Sequence, residues 1–161
     1  MGEWSNFFVA TASAAAALTG LIFVGVSISL AKILSFKQLP NRAMMSLILL
    51  FAILTLSLLM LMPVQSFTSA GIAALCTGCV VLAIVLTIDI SNIKISRQTE
   101  YYIHHRLNMF YNQIAIWPYI IGGIIMLVHG NIGLCWVVAS IILSFIKASF
   151  DAWVLLVEIN R

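Results

Sequence analysis

Charge is what this chain has least of. Of its 161 residues, eight are Lys or Arg and five are Asp or Glu, or 8% charged in all. A soluble domain carries about 25% charged residues, so this chain cannot cover a water-facing surface. Cysteine is scarce too. Cys76, Cys79 and Cys135 all lie in apolar runs. Cys76 and Cys79 form a CxxC, but no second CxxC follows and no His is near them in sequence. They are expected to be small buried hydrophobes rather than redox or metal groups.

Catalytic patterns are missing as well. There is no HExxH, no Ser-based elbow and no phosphate loop. His104 and His105 are adjacent, so on a helix they point about 100° apart and cannot form an i,i+4 ligand pair. The expectation is a non-enzyme without cofactor or metal. The basic residues form no single patch, which argues against a nucleic-acid partner. Met1-Gly2-Glu3-Trp4 is acidic, so no cleavable signal is expected, and Asn6 breaks the myristoylation pattern.

What is abundant is apolar side chain. Hydrophobic residues make up 63% of the chain, with a mean hydropathy of +1.13. The fold class this implies is an all-α integral membrane bundle, a single transmembrane domain over 1–161. Five spans are expected, at about 7–31, 43–62, 71–90, 109–128 and 132–157. Ala12, Ala16 and Gly20 share one face of the first span, suited either to tight packing within the subunit or to a subunit interface. The second span is Leu/Ile/Met-rich with few polar atoms and is expected to face lipid. Asn41 suits the N-cap position for it. Gly71, Ala74 and Gly78 offer a close-packing face on the third span, with Leu75 limiting the approach. Thr99-Glu100 suits the start of the fourth helix. Pro118 followed by Gly122-Gly123 predicts a kink there. Gly130 reads as the stop of that helix and Asn131 as the cap of the fifth.

Orientation follows from the basic residues. Lys32, Lys37, Arg42, Lys94, Arg97, Arg106 and Arg161 fall on one side, while the loops on the other side have no Lys or Arg. The expected topology is N-out and C-in.

The most informative stretch is the last one. Ser140, Ser144, Lys147, Asp151 and Glu158 fall within roughly 60° of one another around a helix. A charge in a membrane segment costs at least ~2.5 kcal/mol, so it faces protein or water rather than lipid. Across a very short turn, the fourth span presents His105, Asn108, Asn112, Ala115, Tyr119 and Gly122 on one face. In such a hairpin, residues whose numbers sum to about 259 lie at equal depth. Asn112 then pairs with Lys147, Asn108 with Asp151, and Tyr119 with Ser140. Asp89 and Asn92 reach the same level from the third span. Lys147 lies ~24 Å and Asp151 ~30 Å from the outer end, near the inner boundary of the bilayer core.

Three readings fit this constellation. It is a structural seam, or a water-filled vestibule lined by Asn108, Asn112, Ser140, Ser144, Lys147, Asp151 and Asp89, or a chemical site. The vestibule reading implies a small homo-oligomeric, channel-like protein. Five spans are too few for two inverted halves of a transporter.

The opening "NFFVATASAAAALTGLIFVGVSI" (Asn6 to Ile28), with "LPNRA" (Leu39 to Ala43), about one sixth of the chain, resembles a group of small bacterial multi-pass membrane proteins. Some of that group are loosely labelled modulators of the FtsH membrane protease. The resemblance implies a bacterial inner-membrane setting and no catalytic residues. It adds a second function class, a non-conducting adaptor or regulator that binds another membrane protein through its small-residue faces.

Overall fold

The structure is a computed structural model that describes residues 4–35, 39–63, 66–96 and 102–159. Lys37, Arg97, Thr99-Glu100 and Arg161, and the side chains of Lys94, His104, His105 and Glu158, lie outside the described residues. The described chain is helical: α1 Ser5–Ile28, α2 Leu30–Ser35, α3 Leu39–Met60, α4 Phe67–Ser96, α5 Tyr102–His129 and α6 Ile132–Ile159. Five of these, all but the short α2, are long and apolar enough to cross a membrane. The protein is thus a multi-pass integral membrane protein of all-α class.

The boundaries reflect local chemistry. α1 ends at Ser29, whose N–H is bonded to the Gly25 carbonyl. Gly130 stops α5 with φ +61°, and its N–H donates to the Met126 carbonyl at 3.1 Å. Only glycine takes that left-handed conformation without strain. α5 runs unbroken through Pro118. Asn41 is not a cap, because α3 already begins at Leu39. Its amide instead crosses to α4 and donates to Asn92 Oδ1.

The central element is α3, which packs against α1, α4 and α6. Of its apolar window 56% is inside the fold, against 22% for α1. The expectation that this helix faces lipid is therefore overturned. Leu49, Leu50, Ile53 and Leu56 are fully enclosed. A helix that is apolar all round suits a buried position and a lipid-facing one equally, so its composition does not separate them. Its polar atoms are used between and within helices. Ser57 shares a 2.9 Å hydrogen bond with Thr11 of α1, and Ser46 donates to the Ala43 carbonyl at 2.9 Å.

Small residues set the spacing of the other half. α5 packs between α4 and α6. A methyl placed on Gly123 would meet Leu75 at 2.6 Å, so Leu75 fills the notch that Gly123 leaves. One on Gly133 would come 2.5 Å from the Gly122 carbonyl oxygen, and one on Gly122 would come 2.9 Å from the Val137 nitrogen. The α5–α6 hairpin is thus backbone against backbone near its turn, the close approach that small residues permit in lipid. The first span behaves differently. Ala12 is buried, but Ala16 and Gly20 are exposed, and Gly20 has nothing within 4 Å of a methyl placed on it. Packing within the subunit is not the role of those two.

The cysteines also depart from expectation. Cys76, Cys79 and Cys135 are all exposed on the outer faces of α4 and α6. In a membrane protein the lipid side accepts a small apolar group as readily as the core does.

Candidate polar vestibule

α6 turns its polar stripe inward. Ser140, Ser144 and Asp151 are buried, while Ile142, Ile146, Phe150 and Trp153 stay on the outside. The antiparallel hairpin sets these groups against α5 at the expected register. Gly122 meets Val137, and Gly133 meets Met126. Ser140 Oγ donates to the Ala115 carbonyl at 2.7 Å, and Ser144 Oγ reaches the same oxygen at 3.4 Å.

One level nearer the basic end, three helices converge on charge. Asp89 of α4 is 2% exposed. Asn112 Nδ2 of α5 donates to its Oδ1 at 3.0 Å and its Oδ2 at 3.2 Å. Lys147 and Asp151 of α6 lie within electrostatic reach of the same carboxylate. They also form an ion pair with each other, one helical turn apart. Asp151 is 6% exposed, so it is neither a wet surface acid nor half of a surface ion pair. Taking these charges out of water is tolerable only because each has a partner.

The cluster opens outward. Beside it lies a cavity of about 440 Å³ between α5 and α6, with Asn108, Lys147, Asp151 and Arg42 of α3 on its polar side. In the opposite direction the seam closes. The buried Tyr119 hydroxyl lies against Ser144 and Ser140, while among the described residues Asn112 Oδ1 and Gln113 Nε2 are buried without a hydrogen-bond partner. Beyond Tyr119 the glycine-packed turn leaves no space. The polar and charged groups thus gather toward the end that carries Lys32, Arg42 and Arg106.

The sequence-derived stripe is therefore brought together. Asp89, Asn112 and Lys147 gather with Asp151 and, about one helical turn farther out, Asn108, and Ser140 and Ser144 sit deeper. The stripes face each other inside one chain rather than outward. Sequence reasoning paired Tyr119 with Ser140, and the two are neighbours, but it did not find the Asn41–Asn92 bond or the placement of Arg42 at the cavity. Among the described residues, no group of three or more His, Cys, Asp or Glu converges as a metal site would need. Comparison with family models, curated proteins and solved structures finds no match to the chain.

Proposed function

We propose that this integral membrane protein is a small channel-like protein of a bacterial inner membrane, N-out and C-in, with a polar vestibule opening to the cytoplasm. The observation that carries the reading is the buried Asp89, held by Asn112 and facing Lys147 and Asp151 beside an open cavity. Ionisable groups within a span are costly and mark ion or proton paths. Because the polar stripes meet inside one chain, the vestibule lies within each protomer rather than along an axis between copies. Copies associate through the exposed Ala16/Gly20 side of α1, where nothing among the described residues covers Gly20. Asp89 is the inner ion-binding group, Asn112 positions it, and Lys147 with Asp151 sets the charge at the mouth.

A second reading rests on the sealed half. The close packing of Gly122 and Gly133 suits a non-conducting adaptor or regulator that docks another membrane protein on α1. Neither reading requires catalysis or a cofactor.

Flux from liposomes separates them. The purified protein is reconstituted and K⁺, Na⁺, Cl⁻ and proton movement are followed, beside a Lys147→Ala/Asp151→Ala variant. Flux that the double substitution alters supports the vestibule. No flux from intact, oligomeric protein overturns it and leaves the adaptor.

A further inference from the structure

The charged cluster contains one acceptor that the fold leaves unmet. Asn112 is fully buried. Its Nδ2 is spent on both oxygens of Asp89, while its Oδ1 has no hydrogen-bond partner among the described residues. Asp89, in turn, takes hydrogen bonds among those residues from Asn112 alone. Lys147, the cation within its electrostatic reach, is ion-paired with Asp151. An ionised carboxylate only accepts, so Asp89 in that form cannot satisfy the idle amide oxygen beside it. A buried polar atom left in that state is costly.

We propose that the ion Asp89 binds is a proton and not a metal ion. A proton turns the carboxylate into an acid that donates one O–H and still accepts on its other oxygen. The terminal torsion of Asn is soft and roughly two-fold. Turned about it, the Asn112 amide receives the O–H on Oδ1 and goes on donating from Nδ2. Both buried groups are then satisfied in one closed ring. The step balances simply: a hydronium ion gives up its proton and remains as water, and the carboxylate becomes a neutral acid.

The surroundings suit a proton better than a metal ion. The Asn112 amide turns N–H, not oxygen, toward the carboxylate. Among the described residues no three His, Cys, Asp or Glu converge. Lys147 and Asp151 belong both to the cavity wall and to the surroundings of Asp89, which is not itself on that wall. A metal ion entering from the cavity must part their ion pair. A proton crosses by binding one oxygen of Asp151 and leaving from the carboxyl group on the other side. The groups facing Asp89 are thus Asn112 from α5 and Lys147 and Asp151 from α6. From α3, Asn41 is turned to Asn92, and Arg42, already engaged, lies on the cavity wall.

This inference rests on the reading of Asp89 as the inner ion-binding group, but its test needs no flux. The full chain is reconstituted in lipid, and infrared difference spectra are recorded between acidic and alkaline buffer, first in choline and then in Na⁺ or K⁺. A carboxylic-acid C=O band is expected that Asp89→Asn removes and Asp151→Asn leaves. Replacing choline by Na⁺ or K⁺ leaves its intensity unchanged. In Asn112→Leu the band moves to the higher frequency of an unbonded acid. A band that survives Asp89→Asn overturns the proposal, as does one that Na⁺ or K⁺ erases, because a metal ion then competes for the site. A band that Asn112→Leu does not move removes the acid–amide ring and overturns it too. If Asn112→Leu does not fold, the near-isosteric Asp89→Asn and the exchange of cations decide. The band without flux leaves the proton site standing and sinks only the channel; flux without the band does the reverse.

Discussion

Asn112 and Asp89 are joined twice. The amide nitrogen of one reaches both carboxylate oxygens of the other, at 3.0 and 3.2 Å, across the α4–α5 contact. Both side chains are buried, so removing the donor leaves the carboxylate short of a hydrogen-bond partner. Asn112→Leu is expected to lower stability by about 1–3 kcal/mol, the cost of leaving a buried polar group unmade. Replacing both partners, Asn112→Leu/Asp89→Leu, should recover much of that loss. Thermal unfolding of the four proteins of this cycle in one detergent measures it. A double variant as weak as the sum of the two single variants would remove the pair from the account.

The two serines of α6 should not be equivalent. Ser140 donates to the Ala115 carbonyl at 2.7 Å, whereas Ser144 approaches the same oxygen at 3.4 Å. Ser140→Ala is expected to cost about 0.6 kcal/mol and at most about 1.7, the range for hydrogen bonds between helices in membranes. Ser144→Ala should cost less. The order of the two unfolding midpoints is the readout.

Two glycine substitutions should differ sharply. A methyl on Gly133 meets the Gly122 carbonyl oxygen at 2.5 Å, while one on Gly20 meets nothing within 4 Å. Gly133→Ala forces the hairpin apart and is expected to cost about 1–3 kcal/mol or more. Gly20→Ala should stay within about 0.5 kcal/mol in a monomeric detergent preparation. A large effect of Gly20→Ala that appears only at high protein concentration would place α1 in an interface between copies.

Breaking the α6 ion pair from one side should be worse than removing it whole. The Lys147 and Asp151 side chains are only 11% and 9% exposed, and Asp89 lies near both. Lys147→Met strands carboxylates in the seam and is expected to cost about 3–5 kcal/mol. Lys147→Met/Asp151→Leu should be nearer to the parent. Chemical denaturation in mixed micelles ranks the three.

The hairpin was legible in the sequence. Its register rests on a helical rise that no side chain alters, so Gly122 meets Val137 and Gly133 meets Met126 as counted from the turn. The inward direction of Lys147 and Asp151 was legible for a related reason, since lipid rejects charge. The burial of α3 was not. In water an apolar face points to the core, but in a bilayer the core and the lipid are chemically alike. Hydropathy alone therefore does not place residues such as Ile53 and Leu56, which are fully buried here. The same degeneracy hid the outward position of Cys76, Cys79 and Cys135. The Asn41–Asn92 bond was missed because Asn41 beside Pro40 suited a helix start as well as it suits a bond between helices.

The glycine contact at the turn makes the last two helices behave like a clothes-peg. Their backbones touch at Gly122 and Gly133, and the cavity lies beside them toward the other end. From Gly133 to Lys147 the arm is about 21 Å. A tilt of about 5° at the spring would move Lys147 by about 2 Å and barely disturb the turn. Whatever occupies the jaws therefore sets the gap between Lys147 and Asn112, at a point far from the atoms that hold the two arms together.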